Sequence, residues 1–330
     1  MKFKQNGSTM HMKSRKRWII RGIIVLLFFL VWMNNTNIFL KKKEDYHFLA
    51  HRGLAQTFDP DEVGWNTNTA AIIYEPEHMY LENTIESMQV AYDYGADVVE
   101  FDIKLSKDKV LAVFHDSPLE CRTEAKGEVG DYTMDELRKL DIGYGYTADG
   151  GKTFPFRGKG IGLMPTIDEV FTAFPDKDLL IHVKDGNIET YEVLWKKLRT
   201  MKEERLKQIA VYGDDAGIEY LRNQSDTLRL LSMDMLKSAL LKYELMGFTG
   251  YVPQDIHNME IHIPLKYAQF LWGWPNKFIK RMASVNTRVV IVAGDGKWSE
   301  GFDTIESLDL IPDNYNGYIW TNRIDKVNDK

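Results

Sequence analysis

Nine short apolar runs of β type, most of them separated by helical patterns, constrain this chain more than any other feature. They lie at Phe48–Ala50, Val98–Ile103, Val110–Phe114, Leu179–Val183, Gln208–Tyr212, Leu228–Leu231, Gly250–Val252, Arg288–Val292 and Tyr318–Trp320. Ile188, Tyr191, Leu194 and Leu198 form a helical stripe, as do Leu236, Leu240 and Tyr243. Asn83 with Glu86, Thr133 with Glu136, and Thr166 with Glu169 fit helix-capping pairs. Strand-helix alternation of this kind predicts an α/β fold, a TIM (β/α)8 barrel. At 330 residues the chain is long enough for one such unit. Two features make the barrel irregular. Nine runs compete for eight places, and only Ser106–Lys109 separates the second run from the third, too few residues for a crossover helix. The stretch 117–162 is long, rich in Gly and aromatics, and holds only one helical pattern.

The formal charge of −6 hides an asymmetry. Residues 1–45 hold ten Lys or Arg against two acids, leaving a body with 32 basic and 46 acidic residues and a net charge of −14. Nucleic-acid binding wants a basic face, so this body argues against it. An anionic substrate would need local positive charge from a metal, Arg52 and Lys184. The single cysteine, Cys121, rules out a disulfide within the chain and a thiolate metal site.

Trp18–Met33 is apolar apart from Arg21 and Gly22. Lys2, Lys4, Lys13, Arg15, Lys16 and Arg17 precede it; Asn34-Asn35-Thr36-Asn37, Ile38-Phe39-Leu40 and Lys41-Lys42-Lys43 follow. With Arg21 snorkelling and the Asn cluster at the far interface, the segment reaches the length of a membrane span. No Ala-x-Ala-like site follows Met33 closely, so it reads as an uncleaved anchor rather than a signal peptide. The expected organisation is a basic cytoplasmic tail at 1–17, a transmembrane anchor at 18–40 and a barrel at 41–330. The larger basic cluster before the span places the N-terminus inside and the body on the extracytoplasmic side of the membrane.

Short polar motifs sit at the edges of the runs: His51-Arg52-Gly53, Glu82-Asn83-Thr84, Glu100-Phe101-Asp102 and His115-Asp116. Glu100 and Asp102 are two apart, so a strand points both carboxylates to one face, an arrangement a hard divalent cation can use. His51 and His115 flank that pair and can exchange protons near neutral pH. Together these groups point to metal-assisted phosphoester chemistry. In order and spacing the motifs resemble the glycerophosphodiester phosphodiesterase family. The likeness extends to Gly95-Ala96-Asp97, to Met164-Pro165-Thr166-Ile167-Asp168-Glu169-Val170 and to Ile181-His182-Val183-Lys184, and runs from about Phe48 to about Arg323.

The resemblance implies the same barrel, with 117–162 as a cap-like insertion over the site. It implies catalytic roles for His51 and His115, metal ligation by Glu100 and Asp102, phosphate contacts from Arg52 and Lys184, and support from Glu82 and Asn83. Asn83 reads equally well as a plain helix cap. His182 departs from the family, which has Glu two residues before the lysine as third metal ligand. Imidazole also binds divalent metals but suits Mn2+ or Zn2+ better than Ca2+, so Ca2+ or Mg2+ stays the family expectation and His182 puts the ion in question. About 28 residues, Trp65 among them, separate the first two motifs where the family has a short loop.

Phe270-Leu271-Trp272-Gly273-Trp274-Pro275, followed by Lys277, Lys280 and Arg281, reads either as an aromatic-basic lipid-facing surface or as core packing. His257 and His262 match no motif and read as structural or exposed. Tyr144, Tyr146, Lys152, Arg157 and Lys159 lie in the insertion as possible substrate contacts. The resemblance implies hydrolysis of a glycerophosphodiester to glycerol 3-phosphate and an alcohol. A lysophospholipase D acting on lysolipids is the nearest alternative, and a non-catalytic binding protein on a decayed barrel is another.

Overall fold

The computed structural model describes residues 6–38, 45–64, 67–295 and 300–328, with the backbone course alone for 6–14. Lys2, Lys4, Phe39, Leu40, Lys41-Lys42-Lys43 and Trp65 lie outside the described residues.

Nine strands form: β1 His47–Ala50, β2 Val98–Leu105, β3 Leu111–Val113, β4 Asp178–Val183, β5 Ile209–Tyr212, β6 Arg229–Leu231, β7 Glu260–Pro264, β8 Arg288–Val292 and β9 Tyr318–Thr321. Eight run parallel in the order β6-β5-β4-β2-β1-β9-β8-β7. A parallel bridge between Leu230 and Met259 and the bond from Leu230 N to Asn258 O join the two ends. The result is a TIM barrel. β3 is the surplus run: it folds back antiparallel on β2, pairing Ile103 with Val113 and Leu105 with Leu111. The five-residue connection 106–110 suffices for that hairpin and is too short for a crossover helix.

One expected strand does not form. Gly250–Val252 is not a strand: Gly250 closes a turn with φ +87°. The seventh barrel strand is instead Glu260–Pro264, whose Glu, His and Pro disguise it. Parallel pairing hides such polar residues inside the barrel, where other groups answer their charge; Glu260 faces Arg288 there.

Inward-facing Leu49, Val98, Leu180, Ala210, Val290 and Trp320 fill the barrel centre. A larger apolar shell packs strands against the outer helices, among them Tyr191, Leu194 and Leu198 of helix Ile188–Leu198 and Tyr243 of helix Met233–Met246. A separate small core joins 117–162 to the segment between the first two motifs, through Ala70, Ile73, Leu119, Leu137, Tyr146 and Phe156. The expected capping pairs at Thr133–Glu136 and Thr166–Glu169 are present. The third is not: helix Ile85–Asp93 is capped by Thr84 with Ser87, because Asn83 has a positive φ of 59° and sends its amide elsewhere.

At the N-terminus, helix Asn6–Asn35 projects from the barrel. Arg15–Asn35 is long and apolar enough to cross a membrane, at mean hydropathy 1.8. Its 21 residues span about 31 Å, the thickness of a hydrocarbon core. The helix stops at Asn35, short of residue 40.

Candidate active site

The site lies at the strand ends where barrel chemistry gathers. Strand alternation turns Glu100 and Asp102 of β2 inward, and both are wholly buried. Register then sets their neighbours. Asp102 is level with His182 on β4, and His182 with Tyr212 on β5. His182 Nδ1 stands 3.0 Å from Asp102 Oδ1 and 3.7 Å from Glu100 Oε1. Donor atoms of Glu100, Asp102 and His182 all fall within 4.8 Å of one another, a candidate metal centre. Asp102 Oδ1 is wholly buried and faces the His182 imidazole. Burial and the neighbouring Asp102 push the Glu100 carboxyl well above the usual carboxylate range. Burial pushes His182 down to about 3, so its imidazole is a neutral lone-pair donor. Its ring stacks on Tyr212 at 3.7 Å, and the Tyr212 hydroxyl donates to Glu100 Oε1 at 3.4 Å.

His51 follows β1 directly. Its Nδ1 lies 2.6 Å from Asn322 Oδ1, and Asn322 Nδ2 donates to Asp303 Oδ2 at 2.8 Å. That second bond orients the amide so that its oxygen must accept, which assigns the proton to His51 Nδ1. Nε2 is left as a lone pair, 3.8 Å from Glu100 Oε2. Burial, then the Arg52 charge, hold His51 well below the ordinary histidine range. His115 stands just beyond β3 with Nδ1 3.3 Å from Asp116 Oδ1. Burial and Arg52 lower its pKa against the opposing pull of Asp102 and Asp116.

Arg52 and Asn83, both at positive φ, are held face to face by the bond from Asn83 N to Arg52 O, 2.9 Å. Such backbone is kept only where the surroundings over-determine it. Gly53 makes the turn possible: at φ +78° a Cβ there would meet Ser87 C at 2.7 Å. Arg52 Nη1 donates to Glu82 Oε1 at 2.7 Å, Arg52 Nε lies 3.2 Å from Asp102 Oδ2, and Asn83 Nδ2 donates to Asp102 Oδ2 at 2.9 Å. Glu82 and Asn83 thus hold Arg52 and Asp102. Lys184 is half-buried beyond β4, and its charge is felt by both Glu100 and Asp102. A cleft of about 260 Å³ opens beside His51 and Arg52, walled by Phe58, Glu82 and Asp303.

The barrel brings His51, Arg52, Glu82, Asn83, Glu100, Asp102, His115, His182 and Lys184 to this mouth. Sequence reasoning missed Tyr212, Asn322, Asp303 and Arg122. Arg122 comes from the 117–162 insertion and binds Asp116 and, at 3.2 Å, Glu82 Oε1, extending a buried ion network to Arg52. Tyr146 is buried with Arg122 over its ring at 4.8 Å, while Arg157 stacks on Tyr144 and Phe154. His257 is exposed, but His262 points into the barrel, 5.2 Å from Trp320 and 5.8 Å from Tyr212.

Fold and site together define a TIM barrel with a candidate metal centre and two histidines at its C-terminal mouth. A family profile described as the glycerophosphoryl diester phosphodiesterase family matches residues 51–259. The chain belongs to that family. A glycerophosphodiester phosphodiesterase of Caldanaerobacter subterraneus is 37% identical over 124 residues, 37% of this chain and 47% of the relative. A mouse lysophospholipase D is 31% identical over 193 residues, 56% of this chain and 57% of the relative. The matches thus span about half the length of these curated relatives. Among solved structures, the glycerophosphoryl diester phosphodiesterase domain of a Mycobacterium tuberculosis protein superposes with a TM-score of 0.58 at 17% identity, covering 85% of this chain and 97% of that one. An Oleispira antarctica phosphodiesterase, solved with the product sn-glycerol-3-phosphate, gives 0.53 at 15% identity, covering 85% and 94%. At these identities the likeness speaks for the barrel fold.

Proposed function

We propose that this chain is a metal-dependent phosphoric diester hydrolase that converts glycerophosphodiesters to glycerol 3-phosphate and an alcohol. The observation that carries the reading is the convergence of Glu100, Asp102 and His182 beside His51 at the mouth of a barrel of this family. The donor set fits a divalent cation: two carboxylates buried on one face repel unless a cation relieves them, and His182 adds a neutral imidazole within reach of both. A bound ion would offset phosphate charge and acidify the attacking oxygen.

The chain's own groups do the rest. His51, protonated on Nδ1, uses Nε2 to take a proton from the nucleophile, either water or the glycerol 2-hydroxyl. His115 returns a proton to the leaving alcohol. Arg52 and Lys184 stabilise charge on the phosphoryl oxygens, a role the planar guanidinium suits well. Glu82 and Asn83 keep Arg52 and Asp102 in place, and 117–162 acts as the cap.

Release of glycerol 3-phosphate from water-soluble glycerophosphodiesters, assayed across Ca2+, Mg2+, Mn2+ and Zn2+, tests this reading. Cleavage of long-chain lysolipids alone would favour the lysophospholipase D alternative, which the mouse relative supports. No turnover of either would leave a binding protein. The same panel reads the ion. Carboxylates favour Ca2+ or Mg2+, whereas His182 shifts preference towards Mn2+ or Zn2+. His182→Ala is expected to weaken metal binding at least about 10-fold by calorimetry, and His182→Glu to move preference towards Ca2+ or Mg2+. Unchanged affinity in His182→Ala would make His182 a bystander.

The anchor reading divides the chain into a basic cytoplasmic tail, 1–17, an anchor, 18–40, whose helix ends at Asn35, and a body, 41–330, on the extracytoplasmic side. Protease added outside intact cells is expected to cut the body. Cleavage only after permeabilisation would reverse the orientation. The chain from Asp45 onward, expressed alone, is expected to be soluble and active.

A further inference from the structure

The N-terminal helix does not end loosely. Its last carbonyls lack hydrogen-bond partners within the helix, and its last turn has no basic residue of its own. The barrel supplies the missing cations. Lys277 Nζ donates to Met33 O at 2.7 Å and Asn34 O at 2.9 Å, and Arg281 donates to Asn34 O and Asn35 Oδ1, each at 3.0 Å. Cations at a helix C-terminus also oppose its dipole. The Asn cluster locks the other side: Asn35 Nδ2 donates to Phe248 O at 2.9 Å, and Asn37 Oδ1 accepts from Lys277 N at 3.0 Å. Gly250 leaves room for this, since a Cβ there would sit 2.9 Å from Asn34 Nδ2. Lys277 and Arg281 of the aromatic-basic segment therefore clamp the helix, while Leu271 packs in the core and half-buried Trp272 and Trp274 pack against it.

The clamp's place in the barrel follows from topology. Helix Met233–Met246 leaves the C-terminal end of β6 and returns to the start of β7, so Met246–Tyr251 lie where strands begin. Helix Asn276–Ala283 likewise leads to the start of β8, with Arg281 near its end. The catalytic groups lie at the opposite end. Around the clamp, apolar side chains stand in the open: Leu245 is 68% exposed, Phe270 73%, Tyr251 55%, and Met246 and Phe248 38% each. Leu245 sits on the outer side of its helix, turned away from buried Tyr243.

We propose that the strand-start end of the barrel rests on the bilayer through Leu245, Met246, Phe248, Tyr251 and Phe270, so that the catalytic mouth opens away from the membrane and draws diesters from the water phase. The occupant of this face is lipid because the face is continuous with the span: the helix leaves the bilayer within hydrogen-bonding distance of Phe248. An opposite orientation would set Tyr74, Met79 and Tyr80, exposed on the 54–81 insertion beside the mouth, against the membrane. A clamp at the strand-start end opposes that. The proposal rests on the reading of the N-terminal helix as an anchor.

The test uses full-length protein in phosphatidylcholine–phosphatidylglycerol nanodiscs, with Cys121→Ser as background and one environment-sensitive label at Phe28→Cys, Leu245→Cys or Met79→Cys. Lipid-borne nitroxide is expected to quench the labels at 28 and 245, and aqueous iodide the label at 79. If the label at 28 escapes lipid quenching, the anchor reading itself fails. If 28 is quenched by lipid while 79 is too, or while 245 answers only to iodide, the orientation is overturned. Asn37→Ala with Lys277→Met is expected to bring lipid quenching at 245 down towards that at 79 and leave 28 unchanged. Unchanged quenching at 245 would remove the clamp from the account.

Discussion

Glu100→Gln and Asp102→Asn are each expected to lower turnover by more than about 10²-fold, because a metal that neutralises transferring phosphate contributes several kcal/mol. Chelator should do the same to the parent protein, and a divalent ion should restore it. The two variants separate in stability. Glu100 is held well above the ordinary carboxylate range by burial and by Asp102, so Glu100→Gln removes a like-charge repulsion and should leave the apo protein as stable or more so. Asp102→Asn takes the charge away from Arg52 Nε and His182 Nδ1, and its thermal midpoint should fall. Thermal melts with and without metal read both effects. Full activity in chelator-treated protein would remove the ion from the mechanism, and with it the role given to Glu100 and Asp102.

The two histidines should behave differently. His51→Ala and His115→Ala are each expected to cut turnover by ~10²–10⁴-fold, the usual contribution of a positioned proton-transfer group. Neither donates to the candidate metal centre, so metal affinity by calorimetry should stay close to the parent's. Because the two act in one reaction, the double variant should lose much less than the product of the single losses. A parallel fall in metal affinity would move either histidine from proton transfer into the ligand set.

Much of this site is legible in the order of residues along the chain. Period-two alternation places Glu100 with Asp102, and His182 with Lys184, on common faces without knowledge of the neighbours. Eight of the nine apolar runs form strands, and the four-residue gap at Ser106–Lys109 by itself marks one of them as irregular. Where the local signal misleads, it serves a distant partner. Asn83 looks like a helix cap, yet its amide is bound to Asp102, nineteen residues on. β7 is hard to see in the sequence because the charge of its Glu260 is answered by Arg288 inside the barrel.

The alternation, the motifs, the long apolar N-terminal helix and the identity of the titratable groups can all be read along one chain, since each depends on spacing alone. Which groups meet follows from folding in three dimensions. Barrel closure brings Asn322 to His51 across 271 positions, and no local pattern encodes a bond of that span. Strand register, set by burial of every inward face, puts Tyr212 beside His182. The insertion delivers Arg122 to Glu82, and the outer helices deliver Lys277 and Arg281 to the end of the N-terminal helix. These pairings arise from packing between elements, whose relative placement a one-dimensional pattern does not contain.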